Sequence, residues 1–194
     1  GSNYKVDDML VTAYSKFEPY ANKVGCASRI VNLDHNAKLN FNMAALNDCY
    51  KEAVESDQNS EDKKLYNGYL VLKFSNVSIF NNPSGELDGK YIFIFDQKIG
   101  NAKFPSTKNS SKIFVYLADS SGLIQLQNGS SGQSNYFIYT KGDVSEIHGY
   151  QKLAGSIYAT AENCAKLNNI NKNTELEYNK SLLEDLAENG VVCN

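Results

Sequence analysis

Short apolar runs recur at a nearly constant spacing through the middle of the chain. Four of them are rich in aromatic and β-branched residues and begin at Tyr69, Tyr91, Ile113 and Tyr136, with spacings of 22, 22 and 23 residues. A poorer fifth run begins at Ser156. A fixed period of this length, with one or two short strands per unit, is typical of a β-solenoid, in which each coil buries its apolar side chains against its neighbours.

A second, weaker run follows most of these strands and begins at Val77, Gly122 and Asp143. The pattern therefore predicts a mainly β protein with terminal helices, built as a right-handed parallel β-helix with coils of about 22 residues. An antiparallel β sandwich or meander also gives strands at loosely regular spacing, and a pilin-like α+β fold is a further alternative.

The side chains of the repeats are expected to form the core. The run from Tyr91 to Phe95 is apolar at every position, which favours burial on both faces of the strand. Phe93 and Phe114 are expected to occupy equivalent interior positions of adjacent coils. The repeats also carry many tyrosines, which either fill the core or face outward to stack on sugars or on a partner protein. These tyrosines are Tyr69, Tyr91, Tyr116, Tyr136, Tyr139, Tyr150 and Tyr158.

Helical spacing replaces the repeat pattern in the first part of the chain. Apolar residues between Tyr4 and Val24 follow the i, i+3, i+4, i+7 pattern of an amphipathic helix. Pro19 is expected to kink or end this helix near Glu18, because proline has no backbone N–H and clashes with the preceding turn. The helix is a candidate cover for the outer face of the repeats.

Two further helices are predicted. Residues 42–55 carry one apolar face, and Asn42 is placed to cap the helix N-terminus. Residues 174–189 also read as helical, with a capping box from Ser181 to Glu184. Between the first two helices, Ile30 to Leu33 form a short alternating stretch.

These patterns divide the chain into three segments. Residues 3–64 hold the amphipathic helix and a disulfide-closed helical segment, and they end in a charged linker at 56–64. Residues 65–163 hold the repeats, and residues 164–194 form a C-terminal helical cap closed by Cys164–Cys193. The two terminal segments are expected to cover the open ends of the solenoid, because exposed strand edges promote association.

Four cysteines fall into two local pairs, Cys26 with Cys49 and Cys164 with Cys193. Four cysteines allow three connectivities, and local pairing is preferred here because each pair brackets a loop-rich segment outside the repeats. Each bridge is expected to stabilise the fold by roughly 3 kcal/mol. Free buried thiols are the alternative. Bridged cysteines indicate an oxidising compartment and hence an extracellular location.

Composition argues against several classes of partner. The net charge is −3, and Arg29 is the one arginine, so the chain has no basic surplus for nucleic acid. The sequence contains no phosphate-binding glycine motif and no Cys-x-x-Cys pair, so neither a cofactor nor a metal site is expected. Gly1-Ser2 is typical of a cloning remnant, so any membrane-anchoring segment is expected to have been removed with the native N-terminus.

Candidate catalytic residues are few. His35 and His148 lie outside any nucleophile motif and are interpreted as surface residues. Asp96 and Asp119 fall at nearly the same point of successive repeats, where stacked turn aspartates are favoured over a catalytic pair. The sequence therefore predicts no catalytic residue, and the protein is expected not to be an enzyme.

The stretch from Leu153 to Ala159, followed by Ala161 and Leu167, resembles a segment of β-solenoid domains in bacterial surface adhesins and in PilX-like pilus-associated proteins. Thr160 stands where that segment has proline. The resemblance implies an extracellular structural or adhesive module, such as a minor pilin or adhesin, whose partners are other surface or pilus proteins or a glycan. The alternative is a carbohydrate-binding or carbohydrate-active β-helix protein.

Overall fold

Parallel strand pairs dominate the described part of the chain, together with a few short helices. The computed structural model describes residues 14–31, 38–39, 42–75, 78–79, 85–97, 99–108, 110–119, 121–126, 135–140, 144–149, 152–159 and 175–177. The helical elements are α1 at residues 14–17, the 3-10 turn Glu18–Tyr20, α2 at Ala27–Val31 and α3 at Met43–Asp57. The strands are β1 Lys38–Leu39, β2 Leu70–Phe74, β3 Ser78–Ile79, β4 Glu86–Leu87, β5 Lys90–Phe95, β6 Ile99–Phe104, β7 Ser106–Thr107, β8 Lys112–Leu117, β9 Ser121–Leu126, β10 Asn135–Thr140, β11 Val144–Gly149, β12 Lys152–Ala159 and β13 Glu175–Glu177.

The larger of the sheets has six strands in the order β13-β12-β10-β8-β5-β2, and a second sheet has the order β11-β9-β6. Two small sheets pair β1 with β3 and β4 with β7. Each of these pairings between named strands is parallel, which is not the arrangement of an antiparallel meander.

Successive strands of the six-stranded sheet are in continuous register. Leu70 pairs with Tyr91, Tyr91 with Ile113, Ile113 with Tyr136, and Tyr136 with Gly155. The offset between paired residues is therefore 21, 22, 23 and then 19. Residues one repeat apart in the sequence are thus direct neighbours across the sheet.

The first repeat is one residue out of the predicted register. Tyr69 belongs to a tight turn rather than to β2, because Tyr66 and Tyr69 exchange two backbone hydrogen bonds of 2.9 Å. Asn67 and Gly68 between them have φ of 47° and 88°, the left-handed conformation that a two-residue hairpin turn requires. The fifth repeat is shifted as well, since Ser156 pairs with Phe137 and not with Tyr136.

The observed pairing of β5 with β8 corrects the prediction for Phe93 and Phe114. Phe93 pairs with Val115, whereas Phe114 pairs with Ile92, so the two phenylalanines lie on opposite faces of the sheet. A slip of one residue moves a side chain to the other face of a strand. Both rings are nevertheless fully buried, because the sheet is covered on both faces, as the wholly apolar run from Tyr91 predicted.

The inner face of the sheet carries the main core. Its rows of paired residues, such as Leu72, Phe93, Val115 and Ile138, are 0% exposed and belong to one continuous apolar cluster. Helix α3 contributes to the same cluster through Met43, Leu46, Cys49 and Ala53.

The outer face is covered by the segment around α1. Phe17 is fully buried and packs edge-on against Phe114 at 5.8 Å, and Tyr14 stacks on Tyr116 at 4.6 Å. The predicted break at Pro19 is confirmed, because α1 gives way there to a 3-10 turn that ends at Tyr20. The helix therefore ends near Glu18, as predicted, and its predicted residues 4–13 lie outside the described residues.

The second predicted helix is confirmed as α3. The Asn42 side chain accepts a hydrogen bond of 3.1 Å from the backbone N–H of Ala45, which is the predicted N-cap. The helix continues to Asp57, so it includes the start of the stretch that was predicted to be a charged linker.

Three other expectations need correction. Ala27–Val31 is a helix, although an alternating stretch was predicted from Ile30. Strand β6 was not predicted, because Gly100, Asn101 and Lys103 interrupt its apolar pattern.

Residues 175–177 form a strand that pairs with β12, although helical spacing was predicted there. Pairing with an existing sheet overrides a weak local helical preference. The predicted capping box at Ser181 and Glu184 lies outside the described residues.

Candidate functional site

One edge of the stacked strands is covered by the cap segment, defined here as the described residues between Glu18 and Asp57. The Sγ atoms of Cys26 and Cys49 are 2.07 Å apart and their Cα atoms 5.6 Å apart, consistent with the predicted disulfide. Both cysteines belong to the cap segment, and both are buried in the main apolar cluster. Cys164 and Cys193 lie outside the described residues.

Asn22 of the cap segment binds the free edge of β2. Its backbone N–H donates to the carbonyl oxygen of Val71 at 3.0 Å. Its side-chain Oδ1 accepts from the N–H of Lys73 at 3.0 Å, and its Nδ2 donates to the carbonyl oxygen of Lys73 at 3.2 Å. Asn22 has a φ of 58°, a conformation that asparagine tolerates better than most residues. Its carboxamide therefore occupies the hydrogen-bonding groups that a neighbouring strand would use.

Asn47 of α3 makes a similar pair of hydrogen bonds at β4. Its Nδ2 donates to the carbonyl oxygen of Glu86 at 3.0 Å, and its Oδ1 accepts from the N–H of Asp88 at 2.9 Å. The opposite edge of β4 is already used, because the Leu87 carbonyl accepts from the N–H of Lys108 at 2.8 Å. Asn47 thus closes the remaining edge of this strand.

Sequence reasoning missed both asparagines. Asn47 carried a usable signal, because it is a polar residue in the apolar helical stripe of Met43, Tyr50 and Val54. Asn22 carried none, because its partners in β2 are about 50 residues away in the sequence.

Tyr50 packs against the turn between β4 and β5, where Gly89 has a φ of 145°. A Cβ atom built on Gly89 would lie 2.6 Å from Cδ1 of the Tyr50 ring. Helix α3, which carries Tyr50, therefore packs directly against this turn. The position therefore requires glycine for both its backbone conformation and its space.

Replacing Gly89 by alanine should lower the free energy of unfolding by at least about 1–3 kcal/mol, the usual cost of backbone strain alone. Chemical denaturation measures the change. Gly100→Ala is the matched control, because a Cβ atom at Gly100 would have no neighbour within 4 Å and its φ lies outside the left-handed region, so about 0.5 kcal/mol or less is expected. Equal losses in the two variants would contradict the described packing of Tyr50 on Gly89.

The recurring tyrosines that the structure describes are core residues. Tyr69, Tyr91 and Tyr136 are 0% exposed, and Tyr116 is buried beneath Tyr14. The Tyr91 hydroxyl lies 3.0 Å from Asn47 Oδ1, and the Tyr136 hydroxyl donates to the carbonyl oxygen of Pro105. These four rings are therefore not placed to stack on a sugar. The side chains of Tyr139 and Tyr158, and residue Tyr150, lie outside the described part.

Burial makes the fold sensitive to alkaline pH. Desolvation raises the pKa of Tyr91, with further contributions from Tyr50 and Asp88, and desolvation also raises the pKa of Tyr136. Because the folded-state pKa values lie above the unfolded value of about 10, this stabilisation is complete below pH ~10 and is lost as the pH rises further.

The free energy of unfolding should therefore decline steeply above pH ~10. As the pH is raised, tyrosinate absorbance should increase in two stages. Exposed tyrosines ionise in the first stage, and buried tyrosines ionise in the second, together with the loss of structure that circular dichroism detects. In Tyr91→Phe the alkaline decline should be shallower, although the lost hydrogen bond lowers stability at neutral pH. Titration of all 13 tyrosines before any unfolding would contradict the burial described here.

The acidic and basic candidates are not assembled into a catalytic centre. Asp96 Oδ2 accepts a hydrogen bond of 2.9 Å from the Ser75 hydroxyl, which links adjacent repeats. Phe95 pairs with Leu117, so Asp96 is aligned with Ala118 in the next repeat and not with Asp119. Asp119 lies one position further along the chain and is exposed.

Lys73 lies 3.1 Å from Glu18 of the cap segment, and this hydrogen bond raises the Lys73 pKa. The ion pair fastens the cap to β2. His35 lies outside the described residues, and His148 lies in β11, paired with Gln125.

A surface pocket of about 360 Å³ lies between the end of α3 and the Tyr66–Tyr69 turn. Its lining consists of Tyr20, Val54, Asp57, Gln58, Lys63, Leu65, Asn67 and Gly68. The Asp57 carboxylate is occupied by the backbone N–H groups of Lys64 and Leu65, at 2.8 and 2.9 Å. The pocket therefore offers one aromatic ring beside amide groups, without a free carboxylate pair.

Among the described residues, no cluster of three or more His, Cys, Asp or Glu side chains is suited to hold a metal ion. None of the described helices is long and apolar enough to cross a membrane. Comparison with protein-family models, with curated proteins and with solved structures finds no significant match to this chain. Functional inference therefore depends on the sequence and on the geometry of the described residues.

Proposed function

We propose that this chain is an extracellular, non-enzymatic β-solenoid module that serves as a structural or adhesive part of a bacterial cell surface or pilus. The observation that carries the proposal is the alternation of strands between two parallel sheets. β5, β8 and β10 lie in the six-stranded sheet, and the strands that follow them, β6, β9 and β11, lie in the three-stranded sheet.

Such alternation is typical of a chain that coils around a common axis. Each return brings a strand beside the one that lies 19 to 23 residues earlier, in parallel register. Right-handed coiling is proposed, because about 98% of parallel crossover connections have that hand. A rigid stack of coils presents long lateral faces, which suits a structural or adhesive role better than a single concave reaction site.

The cysteine chemistry supports an extracellular location. A buried disulfide between Cys26 and Cys49 fits an oxidising compartment. If Cys164 and Cys193 are also bridged, the unreduced protein should weigh four hydrogens less than the reduced chain by intact-mass measurement. Four thiols that react with an alkylating reagent in unreduced native protein would argue against this location.

Fractionation of the producing cells tests the proposed role. The chain should be recovered with the cell-surface or pilus fraction, and protease added to intact cells should cleave or release it. A cytoplasmic enzyme followed in the same samples should stay intact, which controls for lysis. Recovery of the chain only in the cytoplasm, with reduced cysteines, would contradict the proposal.

The absence of catalysis is a separate expectation. Asp96 and Asp119 are one position out of register, and Asp96 is engaged by Ser75. Incubation with a panel of bacterial and plant polysaccharides should therefore give no product. Reproducible cleavage that is lost in Asp96→Asn or Asp119→Asn would replace this proposal with a carbohydrate-active enzyme.

Carbohydrate binding is the second candidate, and the pocket beside Tyr20 favours it. The Tyr20 ring, over which the Lys23 ammonium lies at 4.7 Å, lines this pocket together with the side-chain amides of Gln58 and Asn67, and such a ring offers an apolar face beside polar groups. A glycan array measures binding directly, with Tyr20→Ala as the test variant and Lys51→Ala, an exposed position on α3, as the control. Binding that Tyr20→Ala abolishes and Lys51→Ala preserves would support this candidate, and no binding by the unmodified chain would remove it.

A further inference from the structure

The first strand set (β2, β3 and β4) lies at one end of the stacked strands, and each member meets a residue of the cap segment. β2 is the terminal strand of its sheet, and Asn22 makes three hydrogen bonds to its free edge. A terminal strand normally presents a row of unpaired N–H and C=O groups, which is a template for another strand. At β2, Asn22 satisfies the carbonyl oxygen of Val71 and both the N–H and the carbonyl oxygen of Lys73.

The other two strands of the set are closed in equivalent ways. Asn47 binds the carbonyl of Glu86 and the N–H of Asp88 at the free edge of β4. β1 pairs with β3 in parallel, with Lys38 opposite Ser78 and Leu39 opposite Ile79. The cap segment thus closes β2 with Asn22, β4 with Asn47 and β3 with the strand β1.

The disulfide joins the two asparagine-bearing parts of the cap segment. Cys26 follows Asn22 by four residues, and Cys49 follows Asn47 by two. The bridge therefore holds both carboxamides at the strand edges at once. The ion pair of Glu18 with Lys73 adds a further attachment at β2.

We propose that the cap segment blocks a strand-addition surface, and that the partner which fits this surface is a second copy of the same chain. The edge under the cap belongs to a parallel sheet with a regular offset, and the described strands of that sheet end at β13 on the opposite side. A copy that presents its own strands in parallel would continue the same hydrogen-bonding pattern. Such a head-to-tail contact does not close, so it produces filaments.

The cap therefore prevents head-to-tail assembly in the native chain, because every such contact needs the first strand set of one copy. This inference rests on the hydrogen bonds at the edge and does not depend on the proposed extracellular role. Its failure and the failure of that role would be seen in different experiments.

The test combines Asn22→Gly with Asn47→Ala. Glycine at position 22 keeps the left-handed backbone conformation and removes the carboxamide. Asn67→Gly is the matched control, because Asn67 is the other non-glycine residue with a positive φ among the described residues, and it lies in the hairpin turn. Multi-angle light scattering over a concentration series measures the mass of each protein.

The double variant should show a mass that rises with concentration well above that of the unmodified chain, and fibres of the product should diffract at the strand spacing of about 4.8 Å. The unmodified chain and Asn67→Gly should have the same mass as each other. A folded double variant whose mass equals that of the unmodified chain at every concentration would overturn the proposal.

Two further measurements decide the case if the double variant does not fold. The single variant Asn22→Gly, which keeps Asn47 and β1, is then measured in the same way. Its mass should rise with concentration above that of the unmodified chain, and an equal mass would overturn the proposal. In the unmodified chain, the amide hydrogen of Lys73 should exchange as slowly as those of the interior strand β5, because Asn22 holds it. Exchange of the Lys73 amide at the rate of an exposed loop would overturn the proposal without any variant.

Discussion

Replacing Phe93 by alanine should lower the free energy of unfolding by about 3–5 kcal/mol, the usual cost of truncating a buried phenylalanine. Phe93 is 0% exposed and lies between Leu72 and Val115 in the inner core, where the sheet leaves little room for collapse into the cavity. Urea denaturation measures the change. Lys51→Ala, on the exposed side of α3, should change stability by about 0.5 kcal/mol or less.

A loss under about 1 kcal/mol in Phe93→Ala would mean that the ring faces solvent. The assignment of faces is tested separately by double-mutant cycles. Phe17 and Phe114 are in edge-on contact at 5.8 Å, so their alanine variants should couple by about 0.5–1.5 kcal/mol. Phe17 and Phe93 lie on opposite sides of the sheet and should be nearly additive. Coupling of Phe17 with Phe93 as strong as its coupling with Phe114 would contradict the assignment of the two rings to opposite faces.

Removing the Cys26–Cys49 bridge should have the second-largest effect. The bridge closes a separation of 23 residues, and the chain-entropy model gives a loss of about 3 kcal/mol for a loop of this size. Alanine replaces both cysteines, because a buried serine hydroxyl would add its own penalty. The measurement is the free energy of unfolding of the double alanine variant and of the unmodified chain, both without reductant.

The bridge also holds Asn22 and Asn47 in place, so the amide of Lys73 should exchange faster in the double alanine variant. Cys164→Ala with Cys193→Ala is the matched comparison, because it removes the other predicted pair and leaves the cap segment unchanged. An unaltered stability after removal of Cys26 and Cys49 would contradict the role given to this bridge.

Features encoded within a few residues of one another were predictable from the sequence. The N-cap at Asn42 and the break at Pro19 each depend on local hydrogen bonding or on a restricted φ. Burial of Tyr91 to Phe95 on both faces followed from the absence of any polar residue in the run. The repeat spacing then indicated which strands are neighbours.

Features that depend on distant partners were not predictable. Tyr69 was assigned to a strand because an aromatic residue adjoining an apolar run looks like its first member, and the turn hydrogen bonds that exclude it leave no mark in the pattern. β6 is polar at several positions and is paired along its length with β9, which the sequence does not reveal. The edge contacts of Asn22 and Asn47 join residues about 40–50 positions apart, so they emerged only from the structure.

Parallel pairing of each repeat with the next repeat along the chain is the feature on which the fold and both proposals depend. Nuclear Overhauser spectroscopy of the labelled chain tests it directly. Parallel pairing predicts contacts between an Hα and an amide hydrogen that link Tyr91 to the neighbourhood of Ile113 and Ile113 to that of Tyr136. Strong Hα–Hα contacts between these strands, which only antiparallel pairing brings close together, would contradict it.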